Sequence, residues 1–93
     1  MSVSVLVLYD RKGPAIEILA AAIASGVDAI SDAHAELKLL DSATTDDLLN
    51  ADALILGSPN WSGITGSMKS WLDEQGDLWE EGSLAGKPGA TFT

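Results

Sequence analysis

Two stretches of the chain are apolar and uncharged over the length of a short strand. The first runs from Val3 to Tyr9 and the second covers residues 53–57. Uncharged runs of this length are typical of strands buried on both faces, as in parallel sheets. Leucines at positions 37, 39 and 40 predict a further strand that ends at Asp41. Turn residues at 86–89 precede a fourth predicted strand, which reaches Thr93.

Apolar residues recur at helical spacing between these strands. Pro14 is suited to the first turn of a helix, and Gly26 is suited to its end. The core face of this predicted helix comprises Ile16, Leu19, Ala20, Ile23 and Val27.

Two further helices are predicted after the strand that ends at Asp41. Thr44 and Asp47 have the spacing of a capping box, which predicts a short helix through Leu48 and Leu49. A third helix is predicted from about Ser67 to Gly76, and it buries Met68, Trp71 and Leu72.

Strands and helices thus alternate along the chain. This alternation predicts an α/β fold in which a parallel sheet carries helices on its faces. In such sheets, ligands bind beyond the carboxyl ends of the strands, where the strand order reverses. The segments that deserve inspection are the first loop (residues 10–16), the second loop (residues 57–66) and the chain that follows Thr93.

Composition narrows the function classes. A length of 93 residues with 46% hydrophobic and 20% charged residues predicts one globular domain, residues 1–93. The net charge of −9 excludes the basic surface of a protein that binds nucleic acid or an anionic membrane. The apolar run at the start is far shorter than the roughly 20 residues of a membrane span.

Few side chains are available for acid–base or metal chemistry. The chain has no cysteine, which excludes disulfides and thiolate sites and fits a cytoplasmic location. The only histidine, His34, lies in a polar run and is expected to be solvated. We also expect no metal site at a cluster of carboxylates that lacks calcium-loop spacing and is interpreted as a solvated face, namely Asp73, Glu74, Asp77, Glu80 and Glu81.

The first loop joins a strand to a helix N-terminus, where backbone N–H groups favour an anion. Two of the chain's five basic residues, Arg11 and Lys12, lie here. They either attract a phosphate or simply remain solvated. Neither the P-loop sequence nor G-x-G-x-x-G occurs, so the site is not of those common types.

The second loop combines glycines, small polar residues and one indole. Trp61 could stack on a flat ring system, and Asn60 or Ser62 could bond to ring heteroatoms. The alternative is that Trp61 packs against a helix while the glycines only permit the turn.

Three segments together resemble the flavodoxin-like family, in particular its NAD(P)H:quinone oxidoreductase branch of the tryptophan-repressor-binding-protein type. They are residues 54–63 (LILGSPNWSG), 67–73 (SMKSWLD) and 78–93 (LWEEGSLAGKPGATFT). The likeness is specific over residues 53–93 and looser over residues 1–52. It implies a three-layer flavodoxin-like sandwich with four of the five strands present, so we expect the fifth strand and the last helices to be missing.

The resemblance also implies a site. A noncovalent FMN would accept hydride from NAD(P)H and pass two electrons to a quinone, without a catalytic side chain. The implied phosphate-binding residues are Asp10, Arg11, Lys12, Gly13, Pro14, Ala15 and Ile16. The implied ring-binding residues are Pro59, Asn60, Trp61, Ser62, Gly63 and Thr93.

Two departures from the family pattern keep other functions open. Residues 9–24 contain no hydroxyl apart from the phenol of Tyr9, Asp10 stands where a hydroxyl is usual, and Pro14 removes one N–H from the helix start. The sheet is also expected to keep an open edge, which favours a homo-oligomer. The rival hypothesis is therefore a scaffold that binds no flavin and acts through self-association or a partner. A weaker one is a one-electron carrier like the short-chain flavodoxins.

Overall fold

Four parallel strands form one sheet in the order β2-β1-β3-β4. The structure is a computed structural model that describes residues 2–11, 13–60 and 63–93. The strands are β1 (Val3–Tyr9), β2 (Ala33–Leu39), β3 (Ala53–Gly57) and β4 (Gly89–Phe92). The predicted parallel α/β sheet is confirmed, and β1 and β3 have the predicted bounds.

The second strand differs from its prediction at both ends. It begins at Ala33 and includes His34, and it stops at Leu39 rather than Asp41. Leu40 starts a single 3-10 turn, Leu40–Ser42, and its side chain is buried in the core. Leu40 belongs to the same core cluster as Leu48 of α2, so this side chain packs below the sheet's edge strand rather than extending it. His34 is exposed, as expected.

The helices are α1 (Pro14–Asp28), α2 (Thr45–Asn50), α3 (Gly66–Glu74) and α4 (Gly76–Glu81). Thr44 caps α2 through the predicted reciprocal bonds with Asp47. The predicted end of α1 at Gly26 is wrong, because the helix continues to Asp28 with Gly26 in a non-positive φ. A helix-interior glycine costs only about 1 kcal/mol, which the packing of a long helix on a sheet can exceed.

The segment after α3 is helical, which the sequence did not predict. Gly76 does not simply end α3 but begins α4, whose Leu78 is buried in the core. The acidic residues of this region are exposed, as expected for a solvated face; they are Asp73, Glu74, Asp77, Glu80 and Glu81.

Alternation along β1 divides the core between the two faces of the sheet. Val7 and Tyr9 pack with Ala20 of α1 on one face. Leu6 and Leu8 pack on the other face with residues of α2, α3 and α4. This arrangement gives the three layers expected for the fold, since successive strand residues point to opposite faces.

The core face of α1 is narrower than predicted. Ile16, Ala20 and Ala24 are buried, whereas Leu19 is 42% exposed. Small residues at positions 20 and 24 let the helix backbone come close to the sheet, so the contact is centred on the alanines and Leu19 lies at its margin.

Among the helices that the structure describes, none is both long and apolar enough to cross a membrane.

Candidate functional site

The reversal of strand order lies at the carboxyl ends of β1 and β3. These neighbouring strands pair in parallel, with Tyr9 opposite Gly57. From β1 the chain goes to β2 on one side of the sheet, while β3 lies on the other side. The first loop and the second loop therefore leave the sheet side by side, at the place where open α/β sheets bind ligands.

A buried hydrogen bond joins these two loops. The carboxylate of Asp10 accepts a hydrogen bond from the Thr65 hydroxyl, and both residues are only about 5% exposed, at 5% and 4% respectively. Next to it, the Asp10 amide donates to the Gly57 carbonyl at 3.0 Å. The beginning of the first loop is thus fixed to both ends of the second loop.

Thr65 also starts the helix that follows. Its hydroxyl accepts from the Met68 amide at 3.2 Å, which makes Thr65 the N-cap of α3. The Thr65 amide donates to the Ser58 hydroxyl at 3.1 Å, and that hydroxyl donates to the Pro59 carbonyl. The second loop is therefore closed on itself by side chains at its two ends.

The tip of the second loop is shaped by Asn60. Its side-chain oxygen accepts from the Gly63 amide at 2.9 Å, and Gly63 has a φ of 107°. Only glycine adopts such a φ readily, so the residue type at position 63 follows from the turn. Trp61 and Ser62, the predicted ring-binding residues between them, lie outside the described residues.

The first loop carries less net positive charge than its bases suggest. Nη1 of Arg11 lies 3.4 Å from Oε1 of Glu17, and both side chains are about half exposed, at 55% and 45%. With Asp10 and Lys12 included, residues 10–17 contain two acids and two bases, so their formal charges cancel. Lys12 lies outside the described residues.

The remaining first-loop residues belong to the helix start. Gly13 is the N-cap of α1 and Pro14 is its first residue. Ala15 is exposed and Ile16 is buried in the core. This 15-residue helix points its N-terminus toward the carboxyl edge of the sheet, because it follows β1 directly and returns along the face of the parallel sheet.

A cavity of about 290 Å³ lies at the carboxyl ends of β3 and β4. It is lined by three of the predicted ring-binding residues, Asn60, Gly63 and Thr93. Its floor is mostly apolar and includes Leu56 and Met68. Pro59 does not line it, and neither do the described residues of the first loop, 10–11 and 13–16.

The first loop faces a separate, smaller cavity. Asp10 and Arg11 line a space of about 120 Å³ together with Leu39, Leu40 and Asp41. The structure therefore groups three of the predicted ring-binding residues, which follow β3 and β4 in the chain. It links them to the first loop through Thr65 rather than through one shared cavity.

A larger cavity lies away from this edge. It has a volume of about 430 Å³, and its lining includes Leu48, Leu72 and the first residues of β4. Its one charged lining residue, Lys87, donates to the carbonyls of Leu49 and Ala51 at the end of α2. This cavity lies away from the carboxyl edge at which the first and second loops leave the sheet, so its size does not make it the candidate site.

Thr65 and Ser58 are the contributors that sequence reasoning missed. A signal existed for Thr65, because a threonine three residues before Met68 fits an N-cap of the predicted third helix. Nothing in the local sequence pairs it with Asp10. Within residues 2–11, 13–60 and 63–93, no three potential metal ligands lie together.

No family model matches the chain. Individual proteins do match it. The chain is 32% identical over 95% of its length to a protein named NAD(P)H dehydrogenase (quinone) from Acidithiobacillus ferrooxidans, and 32% identical over 97% of its length to one of the same name from Geobacter sulfurreducens. It is 36% identical over 96% of its length to a flavodoxin from Aquifex aeolicus.

The chain spans about half the length of these relatives: 54%, 57% and 48% respectively. The matches nevertheless cover nearly all of the chain, and the four-stranded parallel sheet with helices agrees with them. The chain has the flavodoxin-like α/β fold, and it is similar to proteins named NAD(P)H dehydrogenase (quinone) and to a flavodoxin.

Proposed function

We propose that the chain binds FMN at the carboxyl edge of its sheet and serves as the flavin-holding part of an NAD(P)H:quinone oxidoreductase. The observation that carries the proposal is the cavity at the ends of β3 and β4, because Asn60, Gly63 and Thr93 line it together. The names of the relatives support the same function.

The residues on this edge suit a flavin ring. The cavity joins apolar walls from Leu56 and Met68 to polar groups at Ser58 and Asn60. A flat ring with heteroatoms along one edge needs this combination of apolar cover and a few fixed polar partners. Trp61 would add stacking from the tip of the second loop.

The phosphate would be held mainly by backbone N–H groups at the start of α1, and Arg11 and Lys12 precede this helix start in the sequence. A helix N-terminus favours an anion through these groups and through the helix dipole. Because Pro14 lacks an N–H, Gly13, Ala15 and Ile16 are the residues that could donate.

When bound, FMN supplies the redox chemistry, taking two electrons as hydride and passing them on. In the net reaction, NAD(P)H, a proton and a quinone give NAD(P)⁺ and a hydroquinone. The chain's own residues hold and orient the ring and exclude water from one of its faces. No acid or base is required from them, which fits a site without a histidine or a cysteine.

The test is titration of the purified chain into FMN, followed by flavin fluorescence and by NAD(P)H-dependent quinone reduction. We expect quenching at protein concentrations of tens of micromolar or below. The variant Gly63→Ala should weaken binding because it strains a φ of 107° beside the cavity. Gly26→Ala is the matched control, since Gly26 lies within α1 with open space around it.

Two results would contradict the proposal. One is the absence of quenching by the unaltered chain, which would favour the scaffold hypothesis. The other is equal FMN affinity of Gly63→Ala and the unaltered chain, which would indicate that FMN binds away from the second loop. Transfer of single electrons without NAD(P)H oxidation would favour a one-electron carrier.

We also propose that this chain self-associates. Its β4 lies at the edge of the sheet, and α1 presents Ile18 and Leu19 to the surface, with exposures of 69% and 42%. Unpaired strand edges and exposed apolar side chains favour association. Light scattering after size exclusion should give a mass of two chains or more, and a monomer at all concentrations would contradict this proposal.

A further inference from the structure

We propose that Asp10 is a positioning residue rather than a phosphate ligand: with Thr65, it fixes the first loop against the second loop, and so sets the shape of the flavin cavity. The expected effect on flavin binding rests on the proposed function, whereas the contacts of Asp10 are observed independently of it.

The polar side chains buried in this protein are concentrated at the junction of the two loops. Four polar residues are buried in the described part of the chain, and three of them are Asp10, Ser58 and Thr65. Buried polar groups are costly unless they are paired, so such a cluster has a definite set of partners. Here each member bonds to another member or to the adjoining backbone.

The chemistry of Asp10 opposes a direct role with phosphate. An ionised carboxylate only accepts hydrogen bonds, and its charge repels a second anion. Its bond with Thr65 is instead a hydrogen bond to a charged group, which is the stronger kind. Asp10 is therefore suited to hold Thr65 and unsuited to hold FMN directly.

The second loop transmits this constraint to the cavity. Thr65 bonds Ser58 at the other end of the loop, and Asn60 bonds Gly63 within it. Ser58, Asn60 and Gly63 all line the cavity. Because the loop is closed in this way, loss of the bond to Asp10 should displace the lining as a unit.

The experiment compares variants that keep or remove the hydrogen bond. Thr65→Val removes the hydroxyl, and Thr65→Ser keeps it. Asp10→Asn keeps an acceptor but removes the charge. Thr44→Val is the matched control, because Thr44 is likewise an N-cap that accepts from an amide at 3.2 Å but caps α2 and is exposed. Each variant is titrated with FMN and with riboflavin, which lacks the phosphate.

We expect Thr65→Val to lower the affinity for both flavins by about tenfold or more, which is the equivalent of losing one hydrogen bond to a charged group. Thr65→Ser and Thr44→Val should bind as the unaltered chain does. Asp10→Asn should bind riboflavin more tightly than Thr65→Val does, because the amide oxygen still accepts from Thr65, and it should lose no more affinity for FMN than for riboflavin. Weaker FMN with unchanged riboflavin in Asp10→Asn would overturn the proposal, since it would place the carboxylate in contact with the phosphate.

A second readout needs no flavin. The Asp10 amide donates to Gly57, so its hydrogen exchange reports whether the two loops stay together. Thr65→Val should accelerate exchange at Asp10, while Thr65→Ser and Thr44→Val should not. If Thr65→Val does not fold, the double variant Asp10→Leu/Thr65→Val removes the bond without leaving a buried charge unpaired.

The two proposals fail separately. If the unaltered chain binds neither flavin while Thr65→Val still accelerates exchange at Asp10, the proposed function fails and the positioning role stands. If exchange at Asp10 and flavin binding are both unchanged in Thr65→Val, the positioning role is overturned whatever the chain binds.

Discussion

The hydrogen bond between Asp10 and Thr65 should be the strongest single polar contribution to stability at the carboxyl edge of the sheet. Thr65→Val removes a helix N-cap, which costs about 1 kcal/mol in the free energy of unfolding. It also leaves the 5%-exposed Asp10 carboxylate without its partner, which costs about 1–3 kcal/mol more. The total loss is about 2–4 kcal/mol.

Thr44→Val isolates the capping contribution. Thr44 caps α2 with the same kind of bond, but it is exposed and has no buried carboxylate as a partner. Its loss should therefore cost only about 1 kcal/mol. The difference between the two valine variants measures what Asp10 adds.

A double-mutant cycle with Asp10→Leu completes the measurement. Urea unfolding of the unaltered chain, both single variants and Asp10→Leu/Thr65→Val should give a coupling energy of about 1.5–3 kcal/mol, the value for a hydrogen bond to a charged group. The double variant should be less destabilised than the sum of the single ones. Effects that add within about 0.5 kcal/mol would refute the reasoning, because independent sites behave in that way.

Three further predictions concern the rest of the fold. Gly57→Ala should destabilise the chain by about 1–3 kcal/mol in urea unfolding, because a Cβ there would overlap the Phe92 ring; an unchanged midpoint would contradict this. Ala20→Leu, on the face of α1 that packs against the sheet, should lower the free energy of unfolding by a similar amount, because Ala20 is fully buried. Ala21→Leu on the exposed face should change the free energy of unfolding very little, and equal effects of the two variants would refute the packing described. Hydrogen bonds from Lys38 and from the Thr44 amide lower the pKa of Asp47 below its ordinary 3.8, so the stability that the ionised Asp47 contributes is complete above about pH 4 and is lost as the pH falls through the lowered pKa. The thermal midpoints of Asp47→Asn and the unaltered chain should therefore converge in acid. A constant gap between these midpoints would contradict the ion pair.

The sequence predicted the central strands well because burial on both faces leaves a plain signal. β1 and β3 contain no charged residue, and their bounds were predicted correctly. β2 lies at the edge of the sheet, and its first half carries His34 and Glu36 on its exposed positions. A strand with alternating polar residues does not form an uninterrupted apolar run, so the strand was predicted from its leucines alone and its start was placed later than Ala33.

The helix ends were harder to predict because glycine has more than one use. Gly26 lies inside α1 and Gly76 begins α4, although both fit a helix end in sequence. Neither has the positive φ of a glycine C-cap.

The sequence predicted where the two loops lie but not how they are joined. Alternation of strands and helices placed the first and second loops at one edge, and the structure has them there. The bond between Asp10 and Thr65 joins residues 55 positions apart, and it depends on the register that sets Tyr9 opposite Gly57. Asp10 was therefore predicted as part of the phosphate site, and its buried partner could be found only from the folded chain.

The rest of the proposed function depends on the binding of a flavin at the carboxyl edge of this sheet. The most direct test is amide NMR of the labelled chain, recorded as FMN is added. We expect shifts confined to the first loop, the second loop and Thr93, with the opposite end of the sheet around Ala33 and Asp52 unchanged. The absence of shifts, or shifts centred on the apolar cavity beside Leu48 and Pro88, would contradict it.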